Sequence, residues 1–565
     1  MYKSQKIKTA LPMLLGILLL LFAKTQVWAQ CVIPQVRHYA ATQQVNEGLL
    51  TSVTLQSNAA DGNPATFSKL NRLVGGFGLG DVVQFLKFDN PVTPGALISG
   101  GTPVTVKLTL PSGLLSIIGG VEIQPFKNLH DVPITGWQAD AVGSATGAAA
   151  LLSLLNGVGD QEITVTPSAD FQGVWVKLSG VAVGQSLGLY DAYIMKTASA
   201  SFGCNTPVDV LSGSKPTGAL LGIGVAVGTV LDPTYAIDAN LNSYAEMKPI
   251  VSVNSMTYHT TVFGSPSQKG DTIKMTLQNS GAGLLDLALA ESFSIQLYNG
   301  ASPVGMPITY TQAQLNLLLL PLGSNRYQLP ISPSSSAVYD RVEVRVTALV
   351  GANLLIDGLR IYDVTRILAK PVVNSNATAT TTTICYGTAT TLAVSNTQDC
   401  TTYKWYNASN NNLLYTGASY ALSTTLGVGT HTYYVVASRD GCTETVTSET
   451  STVVVNPLPA ITPGTGSGCV GATSATLNYT GGTNGPTTYS IVWDPSATNF
   501  VNVTDAALPS ATAGAIAIAV PAGATAGTYT GNLTVKNANP CTSNNIPISV
   551  TVNALPAPPV LSITN

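Results

Sequence analysis

The sequence predicts an all-β chain of tandem β-sandwich modules, and three observations predict it. Segments alternate apolar and polar residues with period two, as in Val104-Thr105-Val106-Lys107-Leu108-Thr109-Leu110 and Val342-Glu343-Val344-Arg345-Val346. That alternation marks half-buried antiparallel strands. Turn formers are abundant, with 53 glycines and 33 prolines, while charged residues make up only 9% of the chain. The chain also repeats itself, which is how arrays of modules are written.

The first 29 residues read as an export signal. Lys3, Lys6 and Lys8 precede a Leu-rich core from Leu11 to Phe22, and Val27-Trp28-Ala29 offers small residues for cleavage before Gln30. An uncleaved anchor is the alternative. No later stretch reads as a membrane span, since Ala219 to Leu231 is short and broken by Gly222, Gly224 and Gly228. A net charge of −3 and a mean hydropathy of +0.28 exclude a disordered polyelectrolyte. With no basic run, nucleic acid is excluded as a partner.

Residues 31–203 and 204–370 are two copies of one unit. Asp61-Gly62-Asn63-Pro64-Ala65-Thr66-Phe67-Ser68 returns as Asp238-Ala239-Asn240-Leu241-Asn242-Ser243-Tyr244-Ala245. Thr105 to Leu110 returns as Thr272 to Leu277, and Ile123 to Phe126 as Ile295 to Tyr298. Pro133-Ile134-Thr135 aligns with Pro307-Ile308-Thr309, and Phe171 to Leu178 with Tyr339 to Val346. Each unit can bury its own core as a two-sheet sandwich or jelly roll. The runs Leu151 to Leu155 and Leu315 to Leu320 are the only helix-like ones, and each also fits a buried strand.

The Asp-x-Asn phrase resembles the calcium-supporting loop of discoidin-like, galactose-binding-like jelly rolls. That resemblance implies structural calcium held by Asp61, Asn63 and Thr66 in the first copy and by Asp238, Asn240 and Ser243 in the second. The other reading is a turn in which Asp and Asn side chains bond nearby backbone amides. No further cofactor is implied.

Residues 371–456 carry Ile384-Cys385-Tyr386-Gly387, Tyr403-Lys404-Trp405-Tyr406, Tyr433-Tyr434-Val435-Val436 and Gly441-Cys442. They resemble the Ig-like modules of large surface proteins in Bacteroidota-type bacteria. Residues 457–553 carry Cys469-Val470-Gly471, Tyr489 to Trp493 and Gly527 to Val535, and resemble PKD-like modules. Trp405 and Trp493 are expected in the cores. Residues 554–565 read as a Pro-rich linker and the start of a further module, and the short Pro-rich joints favour extended spacers.

Seven cysteines are spread by module. In an oxidising compartment the expected staples are Cys385–Cys442 and Cys469–Cys541, with Cys31–Cys204 as a third pair. Cys400 is left over, either free or paired within its module.

Catalytic signatures do not emerge. His38, His130, His259 and His431 stand in unrelated contexts, and Gly75 to Gly80 precedes an alternating strand rather than a phosphate-binding helix. The expectation is a non-enzymatic, secreted or cell-surface adhesion protein that presents binding domains for an extracellular glycan or protein on an Ig-like stalk. The alternative is a carbohydrate-binding accessory region of a larger surface hydrolase.

Overall fold

The computed structural model describes residues 35–557, leaving aside 74–79, 90–94, 111–119, 147–157, 181–183, 217–227, 250–254, 280–292, 312–313, 315–319, 324–325, 335, 348–357 and 375–379. The export signal, Cys31, most of the glycine-rich run at 75–80, the helix-like runs at 151–155 and 315–319 and the end of the C-terminal linker lie outside the described residues. The chain forms two compact units. The first holds both large copies together with residues 398–401 and 438–446, and the second holds the rest of the third module and the fourth.

Each large copy is a sandwich of antiparallel sheets. In the first copy one sheet runs Thr42–Glu47, Val82–Lys87, Gly173–Leu178, Val121–Val132, Gly136–Ala141. The facing strands run Val158–Val165, Val104–Leu110, Gln185–Thr197, Ser68–Arg72, Thr51–Thr54, and Gln35–Tyr39 also pairs with Gln185–Thr197. The predicted alternation sets the core: Val104, Val106, Leu108 and Leu110 face Val174, Val176 and Leu178, all buried. The second copy repeats the plan. Pro207–Pro216, Ser255–Phe263, Arg341–Thr347, Phe293–Asn299 and Ser302–Thr309 form one sheet, opposed by a six-stranded one.

The copies are fused edge to edge. Gly213 and Ser214 pair with Gly159 and Val158, so strands of both copies make one 11-stranded sheet. Glycine is required on both sides of this seam. A Cβ on Gly159 would stand 2.2 Å from the Ser212 carbonyl oxygen, and one on Gly213 would stand 2.0 Å from that of Val158. The seam also changes the expected half-burial: Lys107 and Thr105, on the polar face of their strand, are buried as well.

In the third module Thr380–Cys385 lies parallel to Ser451–Asn456, followed by Gly429–Arg439, Thr401–Asn407 and Leu413–Thr416. Trp405 fills its core with no exposed surface, and its indole N–H donates to the Gly417 carbonyl. The fourth module is an eight-stranded assembly around Trp493 and Phe500, whose rings lie 4.7 Å apart.

The disulfides correct the sequence expectation. Cys204 bonds Cys442, and Cys385 bonds Cys541. Cys469 is an exposed free thiol, and Cys400 is disulfide-bonded. Neither Cys385–Cys442, Cys469–Cys541 nor Cys31–Cys204 forms. The reason is which backbone segments meet. Residues 438–446 dock beside Phe202, whose N–H donates to the Gly441 carbonyl while its carbonyl accepts from Thr443, and this brings Cys442 to Cys204. Cys385 lies opposite Asn456, just before the Pro457 joint. The Asn537 side chain donates to the Pro457 carbonyl and accepts from the Cys541 N–H, which brings Cys541 to the same joint. Cys469 lies opposite Asn553, at the far end of the closing strand.

Candidate functional site

The two Asp-x-Asn loops are near replicas closed by their own hydrogen bonds. Asp61 accepts from the Asn63 N–H at 2.8 Å and the Thr66 hydroxyl at 2.7 Å, and Asn63 accepts from the Ala65 N–H. Asp238 accepts from the Asn240 N–H at 2.8 Å and the Ser243 hydroxyl at 2.6 Å, and Asn240 accepts from the Asn242 N–H. Each loop offers a single carboxylate, and both of its oxygens serve the turn. Hard cations of calcium's kind want six or more oxygens, so this geometry is that of an Asx turn.

The feature with the chemistry of a binding site lies on the free sheet of the first copy. Along Gly173–Leu178 the even-numbered residues point into the core and Trp175 and Lys177 point out. The register sets Phe85 directly across from Trp175 on one side, and Glu122 across from Lys177 on the other. Phe126 lies opposite Gly173, where any side chain would collide with its ring. The Trp175 ring therefore stacks on Phe126 at 6.0 Å and 19° and meets the Phe85 edge at 5.8 Å.

A hairpin arm covers this aromatic patch. Beyond Phe126 the strands Val121–Val132 and Gly136–Ala141 continue past their neighbour, with Asn128 in left-handed conformation at φ 52° and a register shift between Lys127 and His130. The arm then doubles back over the outer face. Its Trp137 reaches the opposite edge strand, where the Asn46 side chain accepts from the Trp137 N–H at 2.8 Å and donates to the Trp137 carbonyl. Gly136, at φ 75°, leaves room for this latch, since a Cβ there would lie 2.6 Å from the Asn46 amide oxygen.

Between arm and sheet runs a groove of about 360 Å³, lined by Asp81, Val83, Phe85, Glu122, Trp137, Gln138, Ala139, Trp175 and Lys177. Lys177 sits 3.4 Å from Asp81 and 3.7 Å from Glu122, and the Trp175 indole N–H donates to Glu122 at 3.4 Å. These partly exposed ion pairs contribute ~0–1 kcal/mol each, so exchanging them for a ligand's polar groups costs little. Apolar ring faces beside carboxylate, ammonium and amide groups suit a ligand with an apolar face and a hydroxyl-bearing rim.

The second copy lacks this arrangement. Glu343 stands where Trp175 does, Thr260 where Phe85 does, and the turn Gly300-Ala301 replaces the arm. Glu343 is held by Lys215 at 2.9 Å, Arg345 at 2.7 Å and the Thr260 hydroxyl at 3.0 Å. The alignment of Pro133-Ile134-Thr135 with Pro307-Ile308-Thr309 fails structurally. The first triplet is the tip of the arm, whereas the second leads into the pairing of Ile308 with Ile295.

Acidic groups do gather, at the seam between the copies. Asp209 pairs with Lys107 at 2.6 Å and Arg37 at 2.7 Å, and Glu162 pairs with Arg37 at 2.9 Å and Arg341 at 2.6 Å. Burial alone would raise the Glu162 carboxyl, but Arg341 and Arg37 outweigh it and hold it at about 2. Asp191 has the opposite fate. Burial pushes its carboxyl up, Asp209 adds to the push, and it settles at about 7. Neither Asp191 oxygen has a hydrogen-bond partner. All these groups are buried, so they join the copies and reach no substrate. Each histidine ring N–H donates to a backbone carbonyl: His38 to Asp89, His130 to Asn128, His259 to Pro233 and His431 to Gly427. The described residues show one potential metal-binding group, Cys204, Cys442 and Glu444, and its sulfurs are spent in the disulfide.

The fold defines a modular all-β protein, with the groove on the free sheet of its first copy. Residues 371–457 match the family described as Ig-like domain, CHU_C associated. No curated protein matches the chain. Among solved structures, fibronectin(III)-like modules of Clostridium thermocellum CbhA are 11% identical over 34% of this chain and 99% of that one, with a TM-score of 0.21. The CBM32-1 and CBM32-2 domains of Clostridium perfringens ZmpB, in complex with GalNAc, are 9% identical over 58% of this chain and 89% of theirs, at 0.19. The N-terminal four Ig domains of Dscam1 isoform 6.9 are 11% identical over 63% and 98%, at 0.17. At such low identities and scores none of the three bears on what this chain binds. Among the described residues no helix is long and apolar enough to cross a membrane.

Proposed function

We propose that this chain is an exported, non-catalytic adhesion protein whose first copy binds an extracellular glycan in the groove between Trp137 and Trp175. The observation that carries this reading is the pairing of an aromatic floor with a tryptophan-bearing arm over the same groove, edged by Asp81, Glu122 and Lys177. Stacked aromatic rings accept the C–H faces of a pyranose, and the charged rim accepts its hydroxyls. Export is supported by the N-terminal Lys-plus-Leu-rich segment and by disulfides, which persist in oxidising compartments.

A glycan array probed with the mature chain and with Trp175→Ala tests the reading. Binding by the mature chain that weakens roughly tenfold or more in the variant is expected, since a central aromatic anchor is worth more than about 1.4 kcal/mol. Silence of the mature chain across a broad array, or binding that ignores Trp175, overturns it.

A further inference from the structure

The groove of the first copy has two ends of different chemistry, and strand register sets them. Trp175 and Phe85 lie side by side at one end. Two residues along the same strand, Lys177 is flanked by Val83 on one side and Glu122 on the other. Asp81 follows two residues beyond Val83 on the same lining face. Alternate residues of a strand share a face at about 7 Å spacing. A sugar that rests on Trp175 therefore turns its rim toward the charged end.

Charge at that end is unbalanced. Asp81 and Glu122 bring two carboxylates, and Lys177 stands between them with one ammonium, 3.4 Å from Asp81 and 3.7 Å from Glu122. Those distances are long, since a well-made N–H to carboxylate bond of this kind runs about 2.7–2.9 Å. The seam shows the contrast: Lys107 stands 2.6 Å from Asp209, and Arg37 stands 2.9 Å from Glu162. The Trp175 indole N–H also reaches Glu122 only at 3.4 Å. Neither carboxylate is saturated. The side chains of Asp81, Glu122 and Lys177 keep 48%, 32% and 31% of their surface exposed, so a ligand can reach all three. The aromatic walls act in the same direction, because an indole face attracts a cation.

We propose that the groove selects glycans by charge and takes saccharides that carry a free amine, with Asp81 and Glu122 as the specificity-determining groups. The inference rests on the groove being the glycan site and narrows its ligand to amine-bearing sugars. A sugar ammonium beside Trp175 meets two carboxylates that share one loosely held partner. A sugar carboxylate in the same place meets Lys177 and two like charges. Uronates and other acidic glycans are thereby turned away.

The test titrates the mature chain by calorimetry with matched oligomers of glucosamine, N-acetylglucosamine and glucuronic acid. Low salt and about pH 6 keep amines protonated and carboxyls ionised. The glucosamine oligomer should bind roughly three- to tenfold more tightly than its N-acetylated counterpart, since each exposed ion pair shifts an affinity by a factor of about 1.5 to 5. The glucuronate oligomer should bind more weakly than both, and added salt should shrink the spread. Two variants should move the glucosamine-to-N-acetylglucosamine ratio in opposite directions. Lys177→Gln removes the competing ammonium and widens it, while Asp81→Asn combined with Glu122→Gln brings it close to unity. A variant that only disturbed the groove would weaken both oligomers and leave their ratio in place. Equal affinities, glucuronate bound most tightly, or a ratio that neither variant moves overturns the charge assignment while the glycan reading stands. Binding of array glycans through Trp175 without binding of the glucosamine oligomer does the same. Oligomer binding that ignores Trp175→Ala overturns the groove reading itself, and the charge assignment with it.

Discussion

Replacing Asp191 by asparagine isolates the energetic cost of the seam between the two copies. In the unfolded chain this carboxyl titrates near its ordinary value of 3.8, and in the folded chain burial and Asp209 move it to about 7. Between those values the folded state holds a proton that the unfolded chain has released. Stability therefore falls as pH rises from about 4 to about 7, and the loss is complete above that window. A shift of about three units corresponds to ~4 kcal/mol. Asparagine keeps the shape and carries no proton to lose, so Asp191→Asn should match the parent near pH 4 and exceed it at pH 8. For a unit of this size the gain is roughly 5–10 °C in melting temperature. Differential scanning calorimetry of both proteins from pH 4 to pH 8 reads it directly. Parallel curves at all pH values, or a variant that melts below the parent at pH 8, would refute the reasoning, because Asp191 would then be ionised and usefully paired with Lys107 or Arg37.

Cys385→Ser should destabilise the third and fourth modules by up to ~5 kcal/mol, the chain-entropy value for so long a loop, while peptide mapping still recovers Cys204–Cys442. Excess chelator should leave the melting temperature unchanged, because the Asp61 and Asp238 loops are closed by hydrogen bonds; a drop of several degrees on chelation would restore calcium to them. Gly136→Ala should unlatch the arm by straining its positive φ and crowding Asn46, which hydrogen exchange would report as faster exchange over 129–141 with the strand Gly173–Leu178 unchanged.

Much of the fold was legible because period-two alternation is local. Val104 to Leu110 and Val342 to Val346 announce their inner faces without any tertiary knowledge, and Trp405, in an Ig-like context, announces its core role. The Asx turns were legible as one of two readings, since an Asp-x-Asn phrase can serve its own backbone or a cation. Disulfide connectivity was not legible, because it depends on which modules' ends meet, and Cys442 meets the start of the second copy rather than its own module. The groove was half legible. Trp175 sits between Val174 and Val176 on an otherwise outward-facing position, and a tryptophan placed there is a signal that a strand pattern alone can raise. Its completion by Trp137 and Asn46 was hidden, because the arm is extra chain in the first copy and a linear alignment matched its tip to an ordinary strand. The burial of Lys107 was hidden for a related reason: its strand is polar on one face, and only the second copy reveals that this face is covered.

The disulfides Cys204–Cys442 and Cys385–Cys541 interlock along the sequence, since Cys385 lies inside the loop closed by Cys204–Cys442 and Cys541 lies outside it. This gives the chain a mechanical shunt. A pulling load applied at Cys204 and at Cys541 crosses one sulfur bridge, returns through at most the ~57 residues between Cys442 and Cys385, and crosses the second. Fully drawn out, that path spans ~200 Å, against ~1,200 Å for the ~337 residues it bypasses. The second copy and most of the fourth module lie off the load path, so tension cannot peel their strands while the bridges stand. Reduction would turn a nearly inextensible tether into one several times longer, a change that single-molecule stretching with and without a reductant would register as a jump in contour length.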